Sequence, residues 1–256
     1  MTERDQKSKE IKSAFNAMMA ALECLLQVNS TVNSLCVSGA PGIGKTFNLN
    51  KRLQEAHNSL EWTVNSISGK MTTMALYEAL YNNRHSTSVL VLDDMDSVFD
   101  SEDSLNLLKA ALDTGKRNIS YMTSSKYLKD NGIPNTFLML GKVIFITNKN
   151  MSVLAKGQSK MAPHYAAFMT RSVYVDLKIH NNTDIMIHIE NVMRQSNILK
   201  KFNVSNEGSN MILNWMLKNE MILRTPSLRT PVLMAGLYNS NPFDWEEMCD
   251  NLFLEK

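Results

Sequence analysis

The sequence predicts an α/β fold: a five-stranded parallel sheet with flanking helices, followed by a small all-helical domain. Three observations predict it. Short apolar runs alternate with helical runs up to about residue 180, the pattern of a parallel sheet covered on both faces. Beyond that point the strand signal stops and only helical segments follow. A glycine-rich stretch, VSGAPGIGKT (Val37 to Thr46), joins the first apolar run to the first helix behind it.

The elements follow in order. In the N-terminal segment Ile11, Phe15, Met18, Leu22 and Leu25 recur at helical spacing, with Lys12, Asn16, Glu23 and Gln27 off that stripe, which predicts an amphipathic helix. The segment is too short and too interrupted to span a bilayer, which needs about 20 apolar residues. No cleavage pattern marks it as a signal peptide. Strand-like runs lie at Ser34–Ser38, Trp62–Ile67, Val89–Leu92, Val143–Ile146 and Val173–Leu177. Helical runs lie at Lys45–Ala56, Met71–Tyr81, Ser104–Leu112 and Met161–Met169. Later helices are expected at Asp184–Met193, at Ser209–Lys218, and from Ser227 towards Tyr238, with Pro231 in the first turn, where proline is tolerated. Asp244 to Glu247 has the pattern of a capping box that opens a last helix. The division expected is an N-terminal helix and linker over residues 1–30, a core over 31–180 and a helical lid over 181–256.

Composition bounds the function. A chain of 256 residues with 44% apolar residues can bury a substantial core. A net charge of +2 is not that of a basic nucleic-acid coat protein, although it leaves room for a local basic patch. Cys24, Cys36 and Cys249 are too scattered for a disulfide framework or a zinc site, as are the five histidines, so a reducing cytoplasm is the expected setting. The eighteen methionines mostly fall inside periodic apolar segments and read as core filling.

Gly39-Ala-Pro-Gly-Ile-Gly-Lys-Thr46 fits G-x-x-x-x-G-K-[ST] at every fixed position. Its glycines let backbone N–H groups turn inward to form an anion nest, and the loop opens onto a helix N-terminus that favours phosphate. Lys45 is placed to reach the β- and γ-phosphates, and Thr46 to put its hydroxyl on Mg²⁺. Gly39, Pro41, Gly42, Ile43, Gly44, Lys45, Thr46 and Phe47 are the expected nucleotide contacts. The sheet is thus a P-loop sheet, and ATP or ADP with Mg²⁺ the expected cofactor. Ser88-Val-Leu-Val-Leu-Asp-Asp94 then puts two carboxylates at a strand's C-terminal end, where open parallel sheets bind ligands. Asp93 is expected to hold Mg²⁺ with Thr46, and Asp94 to orient the attacking water. Asp96 and Asp100 read as caps or solvated charges.

GAPGIGKT, VLVLDDMD, VIFITN (Val143 to Asn148), FMTR (Phe168 to Arg171) and SLRT (Ser227 to Thr230) resemble, in this order, the motifs of the AAA+ ATPases. The resemblance runs from about residue 10 to the end of the chain. It implies that Asn148 is the sensor 1 residue that helps place the water. It implies that Arg171 is an arginine finger acting on a neighbouring subunit's site, and hence a ring or spiral, commonly a hexamer. Arg229 resembles sensor 2, with Arg224 as a rival, on a lid that moves with nucleotide state. Many family members carry Asp-Glu where this chain has Asp93-Asp94, so slow hydrolysis would be unsurprising.

Two segments would face the centre of such a ring. One is Ser66 to Met71, where Lys70 and Met71 stand in place of the aromatic that protein-threading members often show. The other is Lys116 to Lys142, which contains two β-like runs, Ile119–Met122 and Phe137–Leu140. Between them SSKYLKDNGIP carries Lys126, Tyr127 and Lys129, which together could grip a DNA or RNA backbone and stack a base. SLNLLKAALD (Ser104 to Asp113), with the preceding LDDMDSVF, resembles compact, stand-alone AAA+ proteins encoded by DNA phages, which implies work in the host cytoplasm. The short flanks of the core motifs lead to the expectation of a partner protein that chooses the substrate. The expected function is an oligomeric ATPase that remodels or translocates in DNA replication or recombination. A chaperone-like protein remodeller and an ATP-gated scaffold with slow turnover are the alternatives.

Overall fold

The structure, a computed structural model, describes residues 2–59, 61–196 and 198–255. Its contacts divide into two units. The first comprises the residues up to Ala14, Ala40–Gly44 and the residues from Lys178 on, and the second Phe15–Gly39 and Lys45–Leu177.

The second unit is built on a parallel sheet. After helix α1 (Glu3–Leu25) come β1 (Ser34–Ser38), α2 (Lys45–Asn58), β2 (Thr63–Ser68), α3 (Thr73–Asn82), β3 (Ser88–Asp93) and α4 (Glu102–Ala111). Then follow β4 (Asn118–Ser120), α5 (Lys126–Asp130), β5 (Thr136–Leu138), β6 (Lys142–Thr147), α6 (Met151–Lys156), α7 (Ala162–Met169) and β7 (Val173–Asp176). The main sheet has the order β2-β3-β6-β1-β7, with every pair parallel, so the predicted five-stranded sheet is present. β1 and β6 are buried along their whole length, as continuous apolar strands covered on both faces must be, whereas β2 at one edge is largely exposed. Helix α1 buries Ile11, Met18, Leu22 and Leu25, the stripe expected from its spacing.

Phe99, Phe145 of β6 and Phe168 of α7 meet in mutual tilted and edge-to-face contacts, with centroids 5.0–5.7 Å apart. β4 and β5 pair antiparallel as a separate two-stranded sheet. Its inner side is pinned to α3: the rings of Tyr77 and Phe137 lie 5.1 Å apart, and the Tyr77 hydroxyl donates to Pro134 O at 2.7 Å. The segment between those strands is not only a loop, since Leu128 is buried and anchors the one-turn helix α5. Helix α6, opened by the Asn150 side chain accepting from the Val153 N–H, is an element the periodicity did not announce.

At the base of β6 two buried cations have neutral carbonyl acceptors rather than carboxylates. Lys142 donates to Ser30 O, Val32 O and Asn33 Oδ1 at 2.8–3.3 Å, which uses all three ammonium protons. Arg117 donates to Ala111 O and to Gly141 O, and burial lowers its guanidinium to about 10.

The first unit is helical from residue 178 on: α8 (Asn182–Gln195), α9 (Asn206–Lys218), α10 (Arg229–Ser240) and α11 (Trp245–Phe253). Ile185, Met186, Ile189, Ile212, Met216, Met234 and Trp245 are among its buried side chains. Arg4 near the start of α1 forms ion pairs with Glu190 and Glu220, at 2.9 and 3.1 Å. The capping-box expectation for α11 needs correction. The Asp244 side chain makes no cap hydrogen bond and accepts instead from the Asn241 side-chain amide, because Asn241 ends α10 close by.

Gly141 closes the turn into β6 against backbone, and a Cβ there would lie 2.0 Å from Asn83 O. Gly141→Ala should therefore destabilise the protein by about 1–3 kcal/mol or more in urea unfolding.

Candidate active site

Three strand ends converge. β6 lies between β1 and β3, with Ser38 opposite Thr147 and Asp93 opposite Ile146. The phosphate loop follows β1, the two aspartates end β3, and Asn148 follows β6. Parallel pairing therefore delivers all three groups to the same edge of the sheet.

Within the core unit, the buried Lys45 ammonium donates to Gly39 O at 2.8 Å and to Asn148 Oδ1 at 2.7 Å. The Asn148 Nδ2 then donates to Asp94 Oδ1 at 2.9 Å. This amide orientation is dictated by its neighbours, since an ammonium can only donate and a carboxylate only accept. Asn148 thus bridges the lysine of the loop and the carboxylate of β3. Beside it, Thr46 Oγ1 donates to the Asp93 carboxylate at 2.9 and 3.0 Å. Thr46 and Asp93 are the residues that could hold Mg²⁺. Among the described residues no group of three His, Cys, Asp or Glu is placed to hold a metal. A hard cation at Thr46 and Asp93 would thus take its further oxygens from phosphate and water. Burial is the largest influence on Asp93 and raises its carboxyl, with the Asp94 charge adding to the rise and Thr46 and Lys45 opposing it.

Asp94 has φ +52°, in the left-handed region, and its N–H donates to Ile146 O at 3.0 Å. Aspartate and asparagine tolerate that conformation better than residues with longer side chains. The left-handed turn lifts the Asp94 side chain out of the strand's alternation towards Asn148, so a short carboxylate suffices there.

In the other unit, the loop residues Ala40–Gly44 group with the C-terminal helices. Gly42 and Gly44 have φ of +70° and +90°, which a side chain would resist. A Cβ on Gly42 would also lie 2.8 Å from the Ser227 Cβ. Gly42 O accepts from the Leu228 N–H at 2.9 Å, and Ile43 O bonds His188 Nε2 at 2.9 Å. The His188 contact had no signal in the sequence, where its histidine is one of five scattered ones.

The remaining expected residues are placed as follows. Arg171 precedes β7 at its N-terminal end, while the phosphate loop leaves β1 at its C-terminal end. These ends are separated by a strand of five residues, about 16 Å. Arg171 Nη1 donates to Ala167 O at 2.9 Å, and its Nε lies 3.8 Å from Asp113 Oδ2. Arg229 opens α10 one residue after Leu228 and is exposed, whereas Arg224 donates from Nη2 to Leu254 O. Pro41 is exposed, as is Phe47, which points off the buried stripe of α2. Lys126 and Lys129 are exposed one turn apart on α5, and the Tyr127 hydroxyl donates to Glu78. Asp96 is not a solvated charge: it accepts from the buried Thr147 hydroxyl at 2.5 Å, fixing the residue before Asn148. Asp100 is exposed and ion-paired with Lys149.

The chain is 40% identical to an uncharacterized 36.7 kDa protein of the nrdC-mobD intergenic region of enterobacteria phage T4, over 95% of this chain and 74% of that protein. No family model matches the chain. Among solved structures it is similar to the RuvB Holliday junction branch migration motor of Thermotoga maritima, with a TM-score of 0.53 and 12% identity over 94% of this chain and 68% of that one. It is likewise similar to AMPPCP-bound DnaA from Aquifex aeolicus, with a TM-score of 0.51 and 16% identity over 94% of this chain and 65% of that one. At these identities the likeness is one of fold.

Asn suits the left-handed position of residue 94 and keeps an acceptor for Asn148. Asp94→Asn should therefore leave folding and nucleotide affinity within about threefold while lowering turnover by about 100-fold or more. Equilibrium binding beside single-turnover kinetics checks both halves.

Proposed function

This chain belongs to the family of that phage T4 protein and has the fold of the AAA+ P-loop ATPases, and on that premise we propose that it hydrolyses ATP to ADP and phosphate as an oligomer. The observation that carries this reading is the hydrogen-bonded chain Lys45–Asn148–Asp94 beside the Thr46–Asp93 pair. Lys45 and the loop N–H groups bind the β- and γ-phosphates. Thr46 and Asp93 would hold Mg²⁺, which would neutralise charge on the phosphate oxygens. Asp94 accepts the proton side of the attacking water, and Asn148 holds Asp94 and the water in register with Lys45.

Arg171 is assigned to a neighbouring copy's site. It lies at the strand ends away from its own loop, where a guanidinium cannot serve its own γ-phosphate but can serve another copy's. Arg229 is preferred to Arg224 as the second arginine, because it directly follows the residue bonded to Gly42 while Arg224 is engaged with Leu254 O. A ring or spiral, with six subunits as the family's common number, follows from a finger supplied in trans.

The work done is assigned to nucleic-acid metabolism, as remodelling or translocation in DNA replication or recombination. Lys126 and Lys129, with Tyr127 between them, form an exposed basic and aromatic patch on the β4–β5 insert, suited to a phosphate backbone. The RuvB structure with the same fold is a branch migration motor, and the DnaA structure holds a nucleotide analogue. A second reading, remodelling of protein, is favoured by the exposed apolar residues Met122, Leu138 and Leu140 on the same insert. No helix of the described residues is long and apolar enough to cross a membrane. The similarity to a phage protein supports the host cytoplasm as the setting.

Lys126→Ala with Lys129→Ala should reduce stimulation of the ATPase by single-stranded or duplex DNA by about tenfold while sparing the basal rate. Stimulation by an unfolded protein, with none by DNA, would favour the second reading. Doping wild-type protein with Arg171→Ala should lower activity more steeply than the mutant fraction. Strict proportionality would remove the role in trans.

A further inference from the structure

The tip of the phosphate loop has two backbone ties, and the one to His188 is used by none of the roles above. Gly42 O accepts from the Leu228 N–H, and Ile43 O is bonded to His188 Nε2, both at 2.9 Å. These are consecutive carbonyls of the loop, and both partners lie in the helical unit that contains residues 40–44. A carbonyl oxygen only accepts, so Nε2 carries the hydrogen that His188 donates. No peptide bond in the described residues is cis, so in each peptide the N–H points opposite to the C=O. Holding the carbonyl of Gly42 therefore aims the N–H of Ile43 away from Leu228. Holding the carbonyl of Ile43 aims the N–H of Gly44 away from His188.

Those two N–H groups belong to the anion nest on the phosphate-loop reading, on which this inference rests. Gly42 and Gly44 both have positive φ, and glycine peptides of that kind reorient at little steric cost. Something other than side-chain sterics must hold them in one orientation. His188 meets that need. The side chain is 6% exposed and sits on α8 among the buried Ile185, Met186, Ile187 and Ile189. Burial holds the imidazole below its ordinary value, which keeps the ring neutral near pH 7 with one N–H to give.

We propose that His188 is a positioning residue for nucleotide phosphate, acting through Ile43 O to aim the Gly44 N–H into the nest. It touches no reacting atom. Its removal should weaken nucleotide binding without removing any ligand to the phosphates.

The test is equilibrium binding of ADP with Mg²⁺ to the full chain, read alongside urea unfolding of the nucleotide-free protein. A glutamine amide reaches about as far as Nε2, whereas an asparagine amide falls short of it. His188→Gln should bind ADP within about threefold of wild type, and His188→Asn about tenfold more weakly. His188→Leu, which keeps an apolar side chain and removes the donor, should match the asparagine variant. Any of these that unfolds is set aside, and the glutamine–asparagine pair, both polar and differing by one methylene, decides the matter. Equal affinity of the two amide variants and wild type would overturn the role of His188 while leaving the phosphate loop standing. Failure of the wild-type protein to bind ADP would overturn the phosphate-loop reading, and this inference with it.

Discussion

Burial of β6 between β1 and β3 is the constraint on which the site depends. All six of its residues are buried, including Lys142 at one end and Thr147 at the other. A parallel strand covered on both faces and on both edges cannot slip its register without burying unpaired peptide groups, which would cost several kcal/mol. The ends of the strand reinforce that register. Lys142 spends its three protons on acceptors of the segment that leads into β1, and the Thr147 hydroxyl is taken by Asp96 just after β3. Asn148 can bridge Lys45 and Asp94 because the strand that carries it is fixed at both ends.

The electrostatics of the site follow from that placement. One ammonium and two carboxylates, Lys45, Asp93 and Asp94, meet at one sheet edge, and Asp93 is partly withdrawn from water. Burial and the neighbouring Asp94 charge both disfavour ionised Asp93, and a divalent cation beside it would relieve both. The site as built is suited to an anionic ligand accompanied by its own metal ion. The neutral Asn148 amide carries the connection between lysine and carboxylate without adding charge. Asp94 reaches it from a left-handed backbone position that a short side chain accepts, which gives a structural reason for an aspartate where many AAA+ proteins carry a glutamate.

Much of this was legible in the sequence, for identifiable reasons. Continuous apolar runs revealed the buried strands, and the fixed spacing of Gly39, Gly44, Lys45 and Thr46 revealed the loop, because both signals are local. What was illegible depends on contacts far apart in the chain or on short elements. Helix α5 has one turn and a single buried anchor, Leu128, too little to show a period. Asp96 reads as one more carboxylate after a strand until β6 brings Thr147 beside it. Asp244 has the spacing of a cap, but Asn241 takes its carboxylate. His188 meets a backbone carbonyl 145 residues away, and a backbone atom leaves no trace in a sequence pattern.

Whether a second copy of the chain completes the proposed hydrolytic site is decided by the ATPase rate per subunit measured against protein concentration. Completion by a second copy predicts a rate per subunit that is low when dilute and rises steeply as copies assemble, before reaching a plateau. A rate per subunit that is substantial and constant across the whole concentration range would contradict it, because a single chain would then supply every group the reaction needs.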